Sequence, residues 1–119
     1  AGAPLLLGTD APQPFVYPGY SLHDELALHL NAELTPAEIL RADTVGSAEF
    51  LRQPQEFGRI TVGARADVLL LDRDPEADMA VLRAPAGVMA AGRWYGGETL
   101  QAMLDDVAAR IAVSLDAQP

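Results

Sequence analysis

The sequence predicts a mixed α/β fold with a strand–loop–helix start, a second helix, a β-rich middle and a closing helix. Three observations carry this. Leu5-Leu6-Leu7 is an apolar run bounded by Pro4 and Gly8 and too short for a helix. Leu22, Leu26 and Leu30 recur every fourth position, and Leu100, Met103, Leu104, Val107, Ile111 and Leu115 follow a second helical stripe. Between these, Val88-Met89-Ala90 and Arg93-Trp94-Tyr95 flank Ala91-Gly92, the pattern of a hairpin with a two-residue loop.

Taken in order, residues 4–7 read as a short buried strand. The segment APQPFVYPGY, residues 11–20, holds three prolines and is a stiff loop. A helix is expected from Ser21, with Asp24 standing in for the usual Glu of a capping box. Thr35-Pro36-Ala37-Glu38 is a fuller start signal: an N-cap Thr, Pro at the first helical position and Glu at the third. That helix should run to about Ala42 with Ile39 and Leu40 inward, break at Gly46-Ser47, and add one turn over residues 47–51. Ile60-Thr61-Val62-Gly63 reads as a brief strand ending in a turn, Asp67–Asp72 as a buried strand with acidic ends, and Asp74-Pro75 as a turn. Gly96-Gly97 closes the β-rich piece. A lone apolar strand such as Leu5–Leu7 needs parallel neighbours covering both faces. The sequence ahead of it supplies none.

Composition excludes several classes. The chain has 119 residues, half of them hydrophobic, which argues against whole-chain disorder. Eight basic residues, all Arg, face 17 acidic ones for a net charge of −9, so a nucleic-acid backbone is a poor partner. No apolar stretch approaches the roughly 20 residues that span a bilayer, and no basic n-region marks a signal peptide. A cytoplasmic protein without nucleic-acid or membrane partners is expected. Ala1 is not Met and reads as a processed or cut start.

Few residues can carry chemistry. Asp10 follows the Leu5–Leu7 run, and in parallel α/β architectures functional side chains gather at strand C-termini. From local sequence alone the favoured reading is an Asx-type turn residue before Pro12, with a metal ligand or general base as the alternative. His23 and His29 are six positions apart, roughly 600° around a helix, and face different directions. They cannot form an i, i+4 zinc pair, and with no Cys a self-contained zinc site is not expected. His23, beside the loop, is either a substrate contact or a polar residue tying the loop down. Ser21, Ser47 and Ser114 lie outside any G-x-S-x-G context. Gly96-Gly97 is followed by Glu98, the wrong charge for a phosphate loop. Trp94 and Tyr95 are read as packing residues, and Asp105-Asp106 as a solvated helix face.

The longer string is more specific. LLLGTDAP, then PGYSLHDELALHLNAELTPAEILRADT, then FGRITVGARADVLLLDRDPEADMAVL, then VMAAGRWY resembles the C-terminal part of a metal-dependent amidohydrolase of the imidazolonepropionase-like and prolidase-like branch. The match runs in order from about Leu5 to Tyr95 and is strongest in the G-x-I-x-x-G-x-x-A-D-x-x-x-L-D spacing from Gly58 to Asp72. The resemblance implies a (β/α)8 barrel with a small composite β-sandwich. Residues 1–53 would be the last βα unit of the barrel, 54–97 sandwich strands, and 98–119 a C-terminal helix and tail. It implies that Asp10 binds a divalent metal, zinc foremost, as one or two ions, and shuttles a proton from water to the leaving group of a C–N bond. Phe15, Tyr17 and His23 would touch a small-molecule substrate.

The remaining ligands of that family, paired histidines, a lysine or glutamate and two later histidines, would precede Ala1. The resemblance thus implies a fragment of an enzyme, inactive alone and partnered by a missing N-terminal barrel segment, with a homo-oligomer left open. The unpaired edge of Leu5–Leu7 would favour association. The alternatives are a non-catalytic α+β interaction module and a subunit that completes a barrel with another chain.

Overall fold

The computed structural model describes residues 4–116, with side chains to Val113. Ala1 and the Leu115 end of the last stripe fall outside the described residues and side chains. The elements are α1 (Ser21–Asn31), α2 (Pro36–Arg41), a π-turn (Ala42–Gly46), α3 (Ser47–Phe50), β1 (Val68–Leu70), a 3-10 turn (Met79–Arg83), β2 (Gly87–Ala90), β3 (Arg93–Gly96) and α4 (Gly97–Asp116). They form a mixed α/β structure with a three-stranded antiparallel sheet in the order β1-β2-β3.

The helical half is built around one small core. Leu26 of α1, Ile39 of α2 and Met79 of the 3-10 turn meet in it, and Leu7, Leu22, Leu34, Leu40 and Leu82 pack around them. Ile39 is fully buried. The entry to α2 forms as its sequence predicts. The Thr35 hydroxyl accepts from the Glu38 backbone N–H at 3.3 Å, and Glu38 Oε2 accepts from the Thr35 N–H at 2.8 Å. The hydrogen bonds from Thr35 hold the Glu38 carboxyl below its ordinary range.

Several local expectations are corrected. Residues 4–10 form no strand: among the described residues no neighbour offers them a ladder, so Leu6 and Leu7 pack against the helices while Leu5 stays exposed. The Ser21–Asp24 capping box does not form. Tyr20 occupies the N-cap without a side-chain bond, and the Ser21 hydroxyl accepts from the Tyr17 N–H instead, at 2.7 Å. Gly46-Ser47 does not break the second helix. The chain widens into a π-turn there, with the Ser47 N–H and hydroxyl both donating to the Ala42 carbonyl, and continues into α3. Ile60-Thr61-Val62 is a loop ending in a turn, exposed throughout, since nothing pairs with it among the described residues. The Asp67–Asp72 strand shrinks to Val68–Leu70, and Leu69 and Leu70, which point to opposite faces of the sheet, are both half exposed rather than buried, so neither face is fully covered at this edge strand.

The G-x-I-x-x-G segment explains one of its glycines. Gly58, at φ +84°, lies against the π-turn, where a Cβ would sit 2.7 Å from the Thr44 carbonyl oxygen. Downstream, the hairpin forms in the expected register, with Ala90 opposite Arg93 and Met89 opposite Trp94. Ala91 and Gly92 both take positive φ, 48° and 80°, the geometry of a primed two-residue turn. That turn is anchored from outside. The Ala91 N–H donates to Asp67 Oδ1 at 2.6 Å, and the Gly92 N–H donates to the Ala66 carbonyl at 2.9 Å. Arg65 pairs with the other oxygen of the Asp67 carboxylate.

The apolar surface outruns this core. Met103, Leu104, Val107 and Ile111 on α4 are each about half exposed, although the helix itself forms as predicted. The Cα radius of gyration, 16.5 Å, exceeds the roughly 13.5 Å expected of a compact chain of this length.

Two outcomes follow. Ile39→Ala is expected to lower stability by about 2–5 kcal/mol in urea unfolding, because it empties the centre of the core. Asp67 is held below the ordinary aspartate range, chiefly by the Ala91 N–H and then by Arg65. Its contribution is full above about pH 3.9 and is lost as pH falls through the lowered native value. Asp67→Asn should therefore flatten the acid limb of a stability–pH profile, and an unchanged limb would contradict the anchor.

Candidate active site

Asp10 sits on an exposed turn between the Leu6–Leu7 packing segment and the proline loop. Its backbone is left-handed, φ +54°, uncommon for a non-glycine residue but tolerated by aspartate better than by most. The contacts around it are visible. Two residues earlier, the Gly8 N–H donates to Glu25 Oε1 of α1 at 2.8 Å. Three residues later, Gln13 Nε2 donates to Asp10 Oδ2 at 3.0 Å. Gln13 and Val16 exchange backbone hydrogen bonds at 2.9 and 3.4 Å, closing the loop on itself. Its far end is held by Ser21 through the Tyr17 N–H.

α1 positions more than one group here. Its Leu22–Leu26 face enters the core, which turns Ser21 and Glu25 toward the loop. The Glu25 backbone carbonyl accepts from His29 Nδ1 at 2.8 Å, which fixes the proton of that ring on Nδ1 and uses His29 within the helix. Glu25 Oε2 is buried without a hydrogen-bond partner among the described residues. Asp43 of the π-turn faces it, and the Asp43 carboxyl is pushed up, first by desolvation and then by the negative charge of Glu25.

The residues expected to touch substrate separate into two places. Phe15, 90% exposed, shares a surface depression of about 310 Å³ with Thr9, Val16, Ser21, Asp24, Glu25 and Leu28, next to Asp10. Tyr17 is exposed on the same loop. His23 points elsewhere, into a cleft of about 240 Å³ between α1 and the 3-10 turn with Asp78, Met79 and Arg83. Burial lowers the His23 pKa most, the Arg83 guanidinium lowers it further, and Asp24 offsets part of this. Gln13 and Glu25 escaped the sequence reading. Gln13 lay inside a run read only as rigid loop, and Glu25 was one acid among seventeen. The spacing of Ser21 and Glu25, i and i+4 on α1, was the available signal.

These residues fit a metal only in part. Asp10 offers an exposed carboxylate with one oxygen oriented by Gln13, suited to one ligand position. Among the described residues, no three His, Cys, Asp or Glu side chains are arranged to hold an ion.

Comparison with known proteins decides the kinship. The chain matches the amidohydrolase family over residues 1–99. It belongs to that family. Within it, the chain is 41% identical over 75 residues to an imidazolonepropionase of Anaeromyxobacter sp. (strain K), covering 59% of this chain and 16% of the relative. It is 42% identical over 77 residues to the imidazolonepropionase of Rubrobacter xylanophilus, covering 60% of this chain and 17% of the relative. Among solved structures, it resembles a candidate prolidase from Bifidobacterium longum, with a TM-score of 0.67 and 37% identity over 85% of this chain and 26% of that one. It also resembles a Xaa-Pro dipeptidase with methionine bound in its active site, with a TM-score of 0.66 and 25% identity over 77% of this chain and 22% of that one. This amidohydrolase chain thus spans about a sixth of the length of the curated relatives it matches.

The His23 cleft yields one measurable outcome. In an NMR titration, His23 should have a midpoint below about 6.5. Arg83→Gln should raise that midpoint and Asp24→Asn should lower it. A midpoint indifferent to Arg83 would contradict the arrangement.

Proposed function

We propose that the protein carrying this chain hydrolyses a C–N bond of a small molecule, an amide, cyclic amide or dipeptide, with Asp10 as its proton-transfer residue. The observation that carries this is the presentation of Asp10, exposed and oriented on a left-handed turn, inside the segment that matches the amidohydrolase family. Imidazolonepropionase and Xaa-Pro dipeptidase, the names of its relatives, point to that substrate class.

A divalent metal, zinc foremost, held by Asp10 and by ligands that these 119 residues do not contain, would acidify the attacking water. Asp10 then accepts a proton as the water oxygen bonds to the carbonyl carbon, and returns it to the leaving nitrogen as the C–N bond breaks. Phe15, in a depression lined by Thr9, and Tyr17, on the same loop, are the better substrate contacts. His23, in its separate cleft, reaches substrate only if the pocket extends past α1.

In this reading, residues 1–53 close a (β/α)8 barrel, 54–97 add strands to a β-sandwich, and 98–119 form a tail helix. The exposed apolar residues Leu5, Leu69, Leu70 and those of α4 are covered by further polypeptide, and the 119 residues alone are inactive. No helix among the described residues is long and apolar enough to cross a membrane. A cytoplasmic location is part of the proposal.

The test is Asp10→Asn in the full-length protein, assayed on imidazolone propionate and on Xaa-Pro dipeptides. Turnover is expected to fall roughly 10²–10⁴-fold with the melting temperature nearly unchanged. Turnover close to that of the unaltered protein overturns the assignment.

A further inference from the structure

We propose that Glu25 is a positioning residue for Asp10, acting through the Gly8 amide and together with Ser21 on the same face of α1. The inference rests on the reading of Asp10 as the proton-transfer residue and adds to it a part that the family match does not name.

The two α1 side chains grip the loop at opposite ends. Glu25 Oε1 takes the Gly8 N–H at 2.8 Å, two residues before Asp10, and the Ser21 hydroxyl takes the Tyr17 N–H at 2.7 Å, seven residues after it. Ser21 and Glu25 are one helical turn apart, so a rigid spacing in α1 sets the span of the loop. The loop needs such a fixture. Asp10 and Phe15 both hold left-handed backbones, at φ +54° and +67°, and neither is a glycine that would adopt them freely.

The cost that Glu25 carries supports a dedicated role. Among the described residues one of its oxygens is buried with no hydrogen-bond partner, and the like charge of Asp43 acts on it. A carboxylate kept for surface solubility would turn both oxygens to water. This one keeps an unsatisfied oxygen while the other makes a charge-assisted bond to a backbone amide. Groups that orient a ligating or proton-transferring side chain change affinity or activity by roughly 10–100-fold when removed.

The test compares Glu25→Ala, Glu25→Gln and Asp10→Asn in the full-length protein. It reads kcat and KM separately, together with the affinity for zinc ion by competition with a chromophoric chelator. Glu25→Ala is expected to lose roughly 10–100-fold in kcat and in zinc affinity with KM changed less than about threefold. Glu25→Gln keeps an oxygen acceptor for Gly8 and is expected to restore both to within about threefold. Glu25→Gln falling as far as Glu25→Ala overturns the tether. So does Glu25→Ala matching the unaltered protein while Asp10→Asn is impaired, a result that leaves the reading of Asp10 standing. Asp10→Asn at full turnover overturns that reading itself. If Glu25→Ala does not fold, Glu25→Asp replaces it: the carboxylate one methylene shorter should be impaired, and full function would overturn the proposal.

Discussion

The carboxylate of Glu25 reaches out of α1 to the backbone amide of Gly8, seventeen residues earlier in the chain, and the geometry around Asp10 follows from that reach. Leu7 on the near side of the contact packs against the core formed by Leu26, Ile39 and Met79. Asp10 on the far side is left exposed at a left-handed turn. A segment without strand partners would otherwise have no reason to hold one conformation, since its amides would be satisfied equally well by water. The contact converts an apolar tail into a fixed support, and the packing of Leu22 and Leu26 fixes α1 in turn.

The second half of the chain is organised by a different carboxylate in a similar way. Asp67 accepts the Ala91 N–H across the sheet and pairs with Arg65, so the end of β1 and the β2–β3 turn move as one piece. In both halves a single acidic side chain closes a long loop onto a backbone donor. This is economical where the core is small. Among the described residues, few large side chains, Leu26, Ile39, Met79 and Val81, are buried, and long-range hydrogen bonds do the ordering that apolar burial does in larger domains. The half-exposed apolar residues of α4 fit a chain that corresponds to about a sixth of its relatives' length.

Much of this was legible in the sequence where local chemistry decides the outcome. The Thr35–Glu38 capping box, the Ala91-Gly92 hairpin turn, α1 and α4 depend on residues within a few positions of one another, and each formed as its pattern predicts. The failures lie where partners decide. Leu5–Leu7 and Ile60–Val62 have strand composition, yet a strand needs a neighbour's hydrogen bonds and these segments find none among the described residues. The helix break at Gly46-Ser47 was misread because a π-turn absorbs the irregularity, with Ser47 bonding back to Ala42. The reading of Asp10 as a site residue rests on the resemblance around GTDA; its exposed, left-handed position was not legible in local spacing. Gln13 was hidden in a proline-rich loop despite lying three residues from Asp10, and the Glu25–Gly8 bond spans seventeen residues, with the i, i+4 spacing of Ser21 and Glu25 as its one local mark.

The most direct measurement is amide hydrogen exchange at Gly8, followed residue by residue by NMR. Gly8 is in no helix or strand, and among the described residues its N–H is held by the Glu25 carboxylate. Exchange slower than that of the neighbouring loop amides, and raised to the intrinsic rate in Glu25→Ala but not in Glu25→Gln, is the expected result. Exchange of Gly8 at the rate of an unstructured peptide in the unaltered protein would contradict the tether and with it the fixed placement of Asp10.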